Sequence, residues 1–174
     1  MKTFKSRKLY QFTGKNIALI SRRQLLPNGL WKKVEMVAHP GAVCIAPFLN
    51  SGKIVLIRQY RPAPAAYLYE LPAGTLDERE GPLTCARREL REETGYTAKY
   101  WTKKGRIFPL PAYSDEEIII YKATGLRLEQ GQREEDEIIE TRPMTVAQVR
   151  RLFSRGKIID SKTICALAFC GVFG

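Results

Sequence analysis

"GTLDEREGPLTCARRELREETGY", Gly74 to Tyr96, interleaves carboxylates and arginines between two glycines. Such a stretch is either a solvated helix laced with surface ion pairs or a built site for a metal and a phosphate. Its second half has helical periodicity. Proline suits the first turn of a helix, so Pro82 marks a start. Leu83, Ala86, Leu90 and Thr94 then line one face, and Gly95 supplies a C-terminal stop. The spacing predicts a helix of about three turns. On that helix Glu89 and Glu93 stack on one face, with Glu92 close beside them, and three like charges so placed repel. Arg88 and Arg91 are available as surface partners. A hard divalent cation compensates better, because Mg²⁺ or Mn²⁺ takes carboxylate and phosphate oxygens together. Gly74 permits a backbone turn denied to residues with a Cβ, which can bring the carbonyl of Ala73 towards the helix as a further oxygen ligand.

Outward from this stretch, the chain before it reads as strands. "KLYQF", "NIALIS" and "LWKKVEMV" are short mixed runs broken by Gly14 and the "PNG" turn at 27–29, and a small antiparallel meander is the simplest arrangement. "AVCIAPFL" and "KIVLIRQYR" are denser in apolar residues and suggest a buried hairpin about Asn50-Ser51-Gly52. "YLYELPAG" is a brief strand. After the helix, "AKYWTKKGRIF" and "EEIIIYKATGL" read as strands flanking the loop "PLPAYSDE". An acidic segment, "GQREEDE", leads into "IIETRPM". Thr145 with Gln148 forms a capping-box pattern for a helix over "VAQVRRLF", and a last helix is expected in "SKTICALAFCGVF". The expected class is α+β, in a single domain over 1–174, with strands in 1–38 and a core in 39–174.

With 174 residues, 44% of them apolar, the chain has enough material for one well-packed core. A net charge of +11 draws anionic partners, but the basic residues are dispersed and form no nucleic-acid arm. Nucleic acid is therefore not the expected partner. The four cysteines form no CxxC pair and there is one histidine, which argues against structural zinc and for reduced thiols in a cytoplasmic protein. Neither an apolar leader core nor a run approaching a membrane span is visible, so no membrane association is expected.

Written by spacing, the opening stretch is Gly74, five residues, Glu80, seven residues, Arg88-Glu89-Leu90, one residue, Glu92-Glu93, one residue, Gly95-Tyr96. This is the full Nudix box, and the chain resembles the Nudix hydrolases, which cleave nucleoside diphosphates linked to another moiety. The segments "HPGAVCIAPF", "RQYRPA", "ELPAGTLDE", "PLPAYSDE", "EEDEIIE" and "IIDSKTICAL" are similar, in the same order, to the ADP-ribose pyrophosphatase branch. The resemblance implies a mixed β-sheet between helices and a Mg²⁺-binding strand-loop-helix. It implies Glu89 and Glu93 as main metal ligands, Glu92 as a further ligand or water-mediated contact, and Ala73 as a carbonyl ligand. Glu80 and Arg88 are implied to brace the loop. Arg61 is implied to contact the pyrophosphate, while Arg58, three residues away, faces the other side of the strand. Pro111 lies where ADP-ribose hydrolases commonly carry a proline. Trp31 is the candidate base platform, although Lys32 follows it where some relatives have an acidic residue.

The implied reaction is attack of water on a phosphorus of ADP-ribose, giving AMP and ribose 5-phosphate. A general base belongs on an acidic loop able to close over the substrate, and Glu137 is the first choice, with Glu135 second. Two alternatives stand beside this: another nucleotide sugar such as GDP-mannose, and a non-catalytic nucleotide- or RNA-binding module. Relatives of this branch are commonly homodimers, so a homodimer is expected.

Overall fold

The computed structural model describes residues 6–13, 18–129 and 138–173, the first of these as a backbone path. Ten strands and three helices follow one another among the described residues. They are β1 (Ser6–Thr13), β2 (Ala18–Leu25), β3 (Trp31–Ala38), β4 (Ala42–Phe48), β5 (Lys53–Arg61), β6 (Ala66–Glu70), β7 (Ala73–Thr75), α1 (Pro82–Thr94), β8 (Tyr96–Ile107), β9 (Ile118–Leu128), β10 (Ile139–Thr145), α2 (Val146–Ser154) and α3 (Ser161–Phe169). The α+β class and the N-terminal antiparallel meander are as expected: β1, β2 and β3 form a three-stranded antiparallel sheet in sequence order.

The second sheet is mixed, with strand order β10-β5-β4-β9-β8 and the short β6 and β7 paired to β5 and β4. β4 is its spine. It runs parallel to β9 over seven residue pairs, and Val43 to Ala46 are fully buried. Successive side chains of a strand point to opposite faces, so β4 feeds two cores. Val43 and Ile45 pack with Cys85, Ala86 and Leu90 of α1. Ala42, Cys44 and Ala46 join Val149 of α2 and Ala166 and Leu167 of α3 on the other side. A strand buried on both faces reads as a continuous apolar run, which is why "AVCIA" lacks alternation. Each fully buried Ile, Leu or Val here contributes about 1.5–3 kcal/mol.

The helix ends are set locally. Pro82 opens α1, and Gly95 closes it in the left-handed region at φ 73°, its N–H donating to the Arg91 carbonyl. The capping box of α2 is formed as its sequence predicts: the Gln148 N–H donates to Thr145 Oγ1, and the Thr145 N–H donates to Gln148 Oε1. Asp160 caps α3 by accepting from the Thr163 N–H.

The expected hairpin of β4 and β5 forms only at its turn, where Phe48 pairs with Ile54. Beyond that pair the strands diverge. β5 takes β6 and β10 as partners, and β4 takes β7 and β9. Opening the hairpin is what admits β7, and with it the loop leading to α1, beside β4.

Candidate active site

β7 delivers the chain to α1 through a tight loop, and Arg88 holds the two together. Its guanidinium donates to both oxygens of Glu80 (3.1 and 2.9 Å), to Glu89 Oε1 (2.6 Å), to Glu92 Oε2 (3.1 Å) and to the Thr75 carbonyl (3.2 Å). Hydrogen bonding to Arg88 holds the Glu80 carboxyl below its usual range, and the same bond raises Arg88 further above its own. Within the loop the Asp77 N–H donates to Glu80 Oε2 and the Glu80 N–H to the Asp77 carbonyl. Arg79 there has φ 66°, a left-handed conformation that costs energy for a residue with a Cβ and marks the loop as tightly determined.

Glu93 is 3% exposed, and its Oε2 accepts from the Ala73 N–H at 3.0 Å. Glu89 lies directly over Gly74: a Cβ on that glycine would sit 1.9 Å from Glu89 Oε1. Ala73, Gly74, Glu89, Glu92 and Glu93 thus line one cleft of about 810 Å³, the size of a nucleotide site. Arg61, Lys162 and Glu116 also line it.

The donor set suits a hard divalent cation. Glu89, Glu92 and Glu93 line one cleft, Glu89 fills the space that a Cβ on Gly74 would take, and every candidate donor is oxygen. The nearby Cys85 thiol is turned to the Gly74 and Thr75 carbonyls, and burial pushes it up to about 12, which favours the protonated thiol. Among the described residues no three carboxylates, histidines or cysteines converge as a ready cage. Arg88 Nη1 bridges Glu89 and Glu92, and Glu93 accepts from the Ala73 N–H. A bound cation would compete with Arg88 for Glu89 and Glu92.

Of the residues singled out from sequence, Ala73, Glu89, Glu92, Glu93 and Arg61 are brought together in this cleft. Trp31 and Pro111 are not among its lining. Trp31 opens β3 in the meander sheet, half exposed, and Pro111 lies in the exposed loop between β8 and β9. That loop is nonetheless tied to the meander: the Val37 N–H donates to the Tyr113 carbonyl and the His39 N–H to Asp115 Oδ1. Glu135 and Glu137 lie outside the described residues.

Sequence reasoning gave no role to Glu70, Asp160 or Lys162. Glu70, at the end of β6, is 1% exposed and receives a bidentate fork from Arg61 (Nε to Oε1 and Nη2 to Oε2, both 2.8 Å). Lys162 donates to Glu70 Oε2 and, at 2.9 Å, to Asp160 Oδ1. Burial alone would raise the Glu70 pKa, but Arg61 and Lys162 outweigh it and hold the carboxyl below its ordinary value. The one available signal was a carboxylate inside the apolar run "YLYELP", since buried charge demands partners.

The NUDIX domain family pattern matches residues 38–167. The chain belongs to the Nudix family. Two relatives resemble this Nudix chain along nearly all of it. The ADP-ribose pyrophosphatase of Bacillus subtilis (strain 168) is 38% identical over 160 residues, 91% of this chain and 86% of the relative. The methanol dehydrogenase activator of Bacillus methanolicus is 35% identical over 170 residues, 97% of this chain and 91% of the relative. A crystal structure of an ADP compounds hydrolase superposes with a TM-score of 0.80 at 22% identity, covering 97% of this chain and 91% of that one, which establishes the shared Nudix fold.

Proposed function

We propose that this chain is a Mg²⁺-dependent Nudix pyrophosphatase that hydrolyses ADP-ribose or a related ADP-sugar to AMP and a sugar phosphate. The observation that carries it is that one cleft is lined both by Glu89, Glu92 and Glu93 of α1 and by Arg61 of β5. A pyrophosphate needs both, a cation site for its oxygens and a guanidinium for its charge, and Arg61 keeps its Nη1 group while Nε and Nη2 hold Glu70. The ADP-ribose pyrophosphatase relative supports the substrate class.

Glu89, Glu92, Glu93 and the Ala73 carbonyl would hold the metal. When bound, Mg²⁺ offsets phosphate charge and lowers the pKa of a coordinated water. Arg88 and Glu80 keep Glu89 and Glu92 oriented, and the Ala73 N–H keeps Glu93 in place. Arg61, fixed by Glu70, orients the pyrophosphate for in-line attack. Glu137, or Glu135 as second choice, serves as the base that takes a proton from the attacking water. Pro111 shapes the substrate loop, and Trp31 offers a face for the base.

The proposal extends to a cytoplasmic homodimer whose protomer is one Nudix domain over 1–174. Four free cysteines support a reducing compartment. The exposed Leu19, Leu30 and Trp31 of the meander support association through that sheet. No helix among the described residues is long and apolar enough to cross a membrane.

The test is incubation of the purified protein with ADP-ribose and Mg²⁺, following AMP by chromatography, with Glu93→Gln alongside. AMP from the wild type alone supports the proposal. Equal turnover by Glu93→Gln removes the carboxylate site from it, and turnover of GDP-mannose in place of ADP-ribose changes the base. Tight, salt-dependent RNA binding without any hydrolysis replaces the enzyme with a binding module.

A further inference from the structure

Lys162 is the second residue of α3, yet its ammonium does not reach solvent as a surface lysine does. Its side chain is 16% exposed and lies between Glu70, 1% exposed, and Asp160, 14% exposed. Burying an ammonium is costly unless it is paired and hydrogen-bonded, and here two carboxylates satisfy it. A purely structural staple would be sealed on all sides. This one opens onto the cleft, with Arg61 and Lys162 both in its wall.

A guanidinium has five N–H groups, and Arg61 places Nε and Nη2 on Glu70, so the Nη1 group is left to face elsewhere. An ammonium has three, and Lys162 commits one to Glu70 and one to Asp160. Both cations therefore keep donors in hand. Because Arg61 Nη2 and Lys162 Nζ share Glu70 Oε2, those two nitrogens lie within about 6 Å of each other, two hydrogen-bond lengths. That is the reach of adjacent oxygens on one diphosphate. The four charges cancel, so this wall would attract an anion through its remaining N–H donors, not through net charge.

We propose that Lys162 is a second anion contact of the cleft, donating to a phosphate oxygen beside Arg61, and that Glu70 is the positioning residue that holds both cations at that wall. The substrate part rests on the pyrophosphatase reading above; the anion contact itself does not. Glu70 touches no substrate. It fixes the angle of the guanidinium and the depth of the ammonium, so that one phosphate group meets donors from β5 and α3 together.

The experiment titrates inorganic pyrophosphate into the protein by calorimetry, in EDTA and at fixed physiological salt, so that neither metal nor turnover contributes. Lys162→Met is expected to weaken pyrophosphate binding about tenfold, the loss of one charge-assisted hydrogen bond. Lys162→Arg is expected to recover most of it. Because Lys162→Met leaves Asp160 short of a partner, the double variant Asp160→Asn/Lys162→Met keeps the charge balance and the helix cap. Glu70→Gln, which acts through Arg61 and Lys162, should raise the KM for ADP-ribose more than it lowers kcat. Unchanged pyrophosphate affinity in a folded double variant overturns the proposal, as does a wild type that binds no pyrophosphate. A double variant that fails to fold makes Lys162 scaffolding and overturns it too. Lys162-dependent pyrophosphate binding by a wild type that leaves ADP-ribose intact sinks the pyrophosphatase reading and keeps the anion contact.

Discussion

Glu89 occupies the space that a side chain on Gly74 would need: its Oε1 and Cδ lie 1.9 and 2.0 Å from the position of a Cβ there. The glycine is thus required by the carboxylate, not by its own backbone angles. Gly74→Ala should leave the sheet intact and displace Glu89 from the cleft. Displacement of a functional group by about 1 Å costs roughly a hundredfold in rate. The expected outcome is such a fall in kcat for ADP-ribose, with weakened Mn²⁺ binding in a direct titration. Wild-type kcat in Gly74→Ala would mean that Glu89 works from another position.

Arg88 satisfies Glu80, Glu89 and Glu92 at once. Its removal leaves three partly buried carboxylates facing one another. Arg88→Ala should destabilise the fold by about 2 kcal/mol or more, read from the urea midpoint. Arg88→Lys should recover little of this, because an ammonium has no fork to span Glu80 while reaching Glu89.

Acid should weaken the protein through Glu70 and Glu80. Both carboxyls are held below their usual 4.5 in the folded state, Glu70 against its own burial and Glu80 mainly by Arg88. A depressed folded pKa gives stability that is complete above the unfolded value and is lost as pH falls through the folded one. The melting temperature should therefore hold from neutral pH down to about 4.5 and fall below it. Glu70→Gln should flatten part of that acid slope, and an identical slope would assign it to other groups.

Thr145→Ala provides a contrast far from the cleft. It removes the cap that accepts from the Gln148 N–H, and the cost should be about 1 kcal/mol. Turnover at 25 °C should not change. A parallel loss of kcat would show that α2 communicates with the cleft.

Much of this architecture was legible because its determinants are local. Pro82, Gly95 and the period of Leu83, Ala86 and Leu90 define α1 within fifteen residues, and Thr145 with Gln148 defines the start of α2 within four. The acidic face of α1 follows from spacing alone. The pairing of β4 does not: its neighbours in the chain suggest a hairpin, while its extended partner, β9, lies more than seventy residues on. Glu70 was obscure for the same reason. Nothing near it in sequence announces Lys162, and the apolar run around it looks like any buried strand. Trp31 joins the meander sheet, as the run "LWKKVEMV" predicts.

Glu70 meets Lys162, and Leu71 meets Thr163, across a sequence separation of 92 residues. Closing so long a loop is entropically expensive and gives no return until the sheet between is formed, so these contacts belong to the late part of folding. The start and stop of α1 are set by local signals, whereas the Glu70–Lys162 contact must wait for a segment synthesised long afterwards. In a refolding time course, far-UV signal should therefore return before pyrophosphate affinity does. On this expectation the chain acquires its shape first and its grip second.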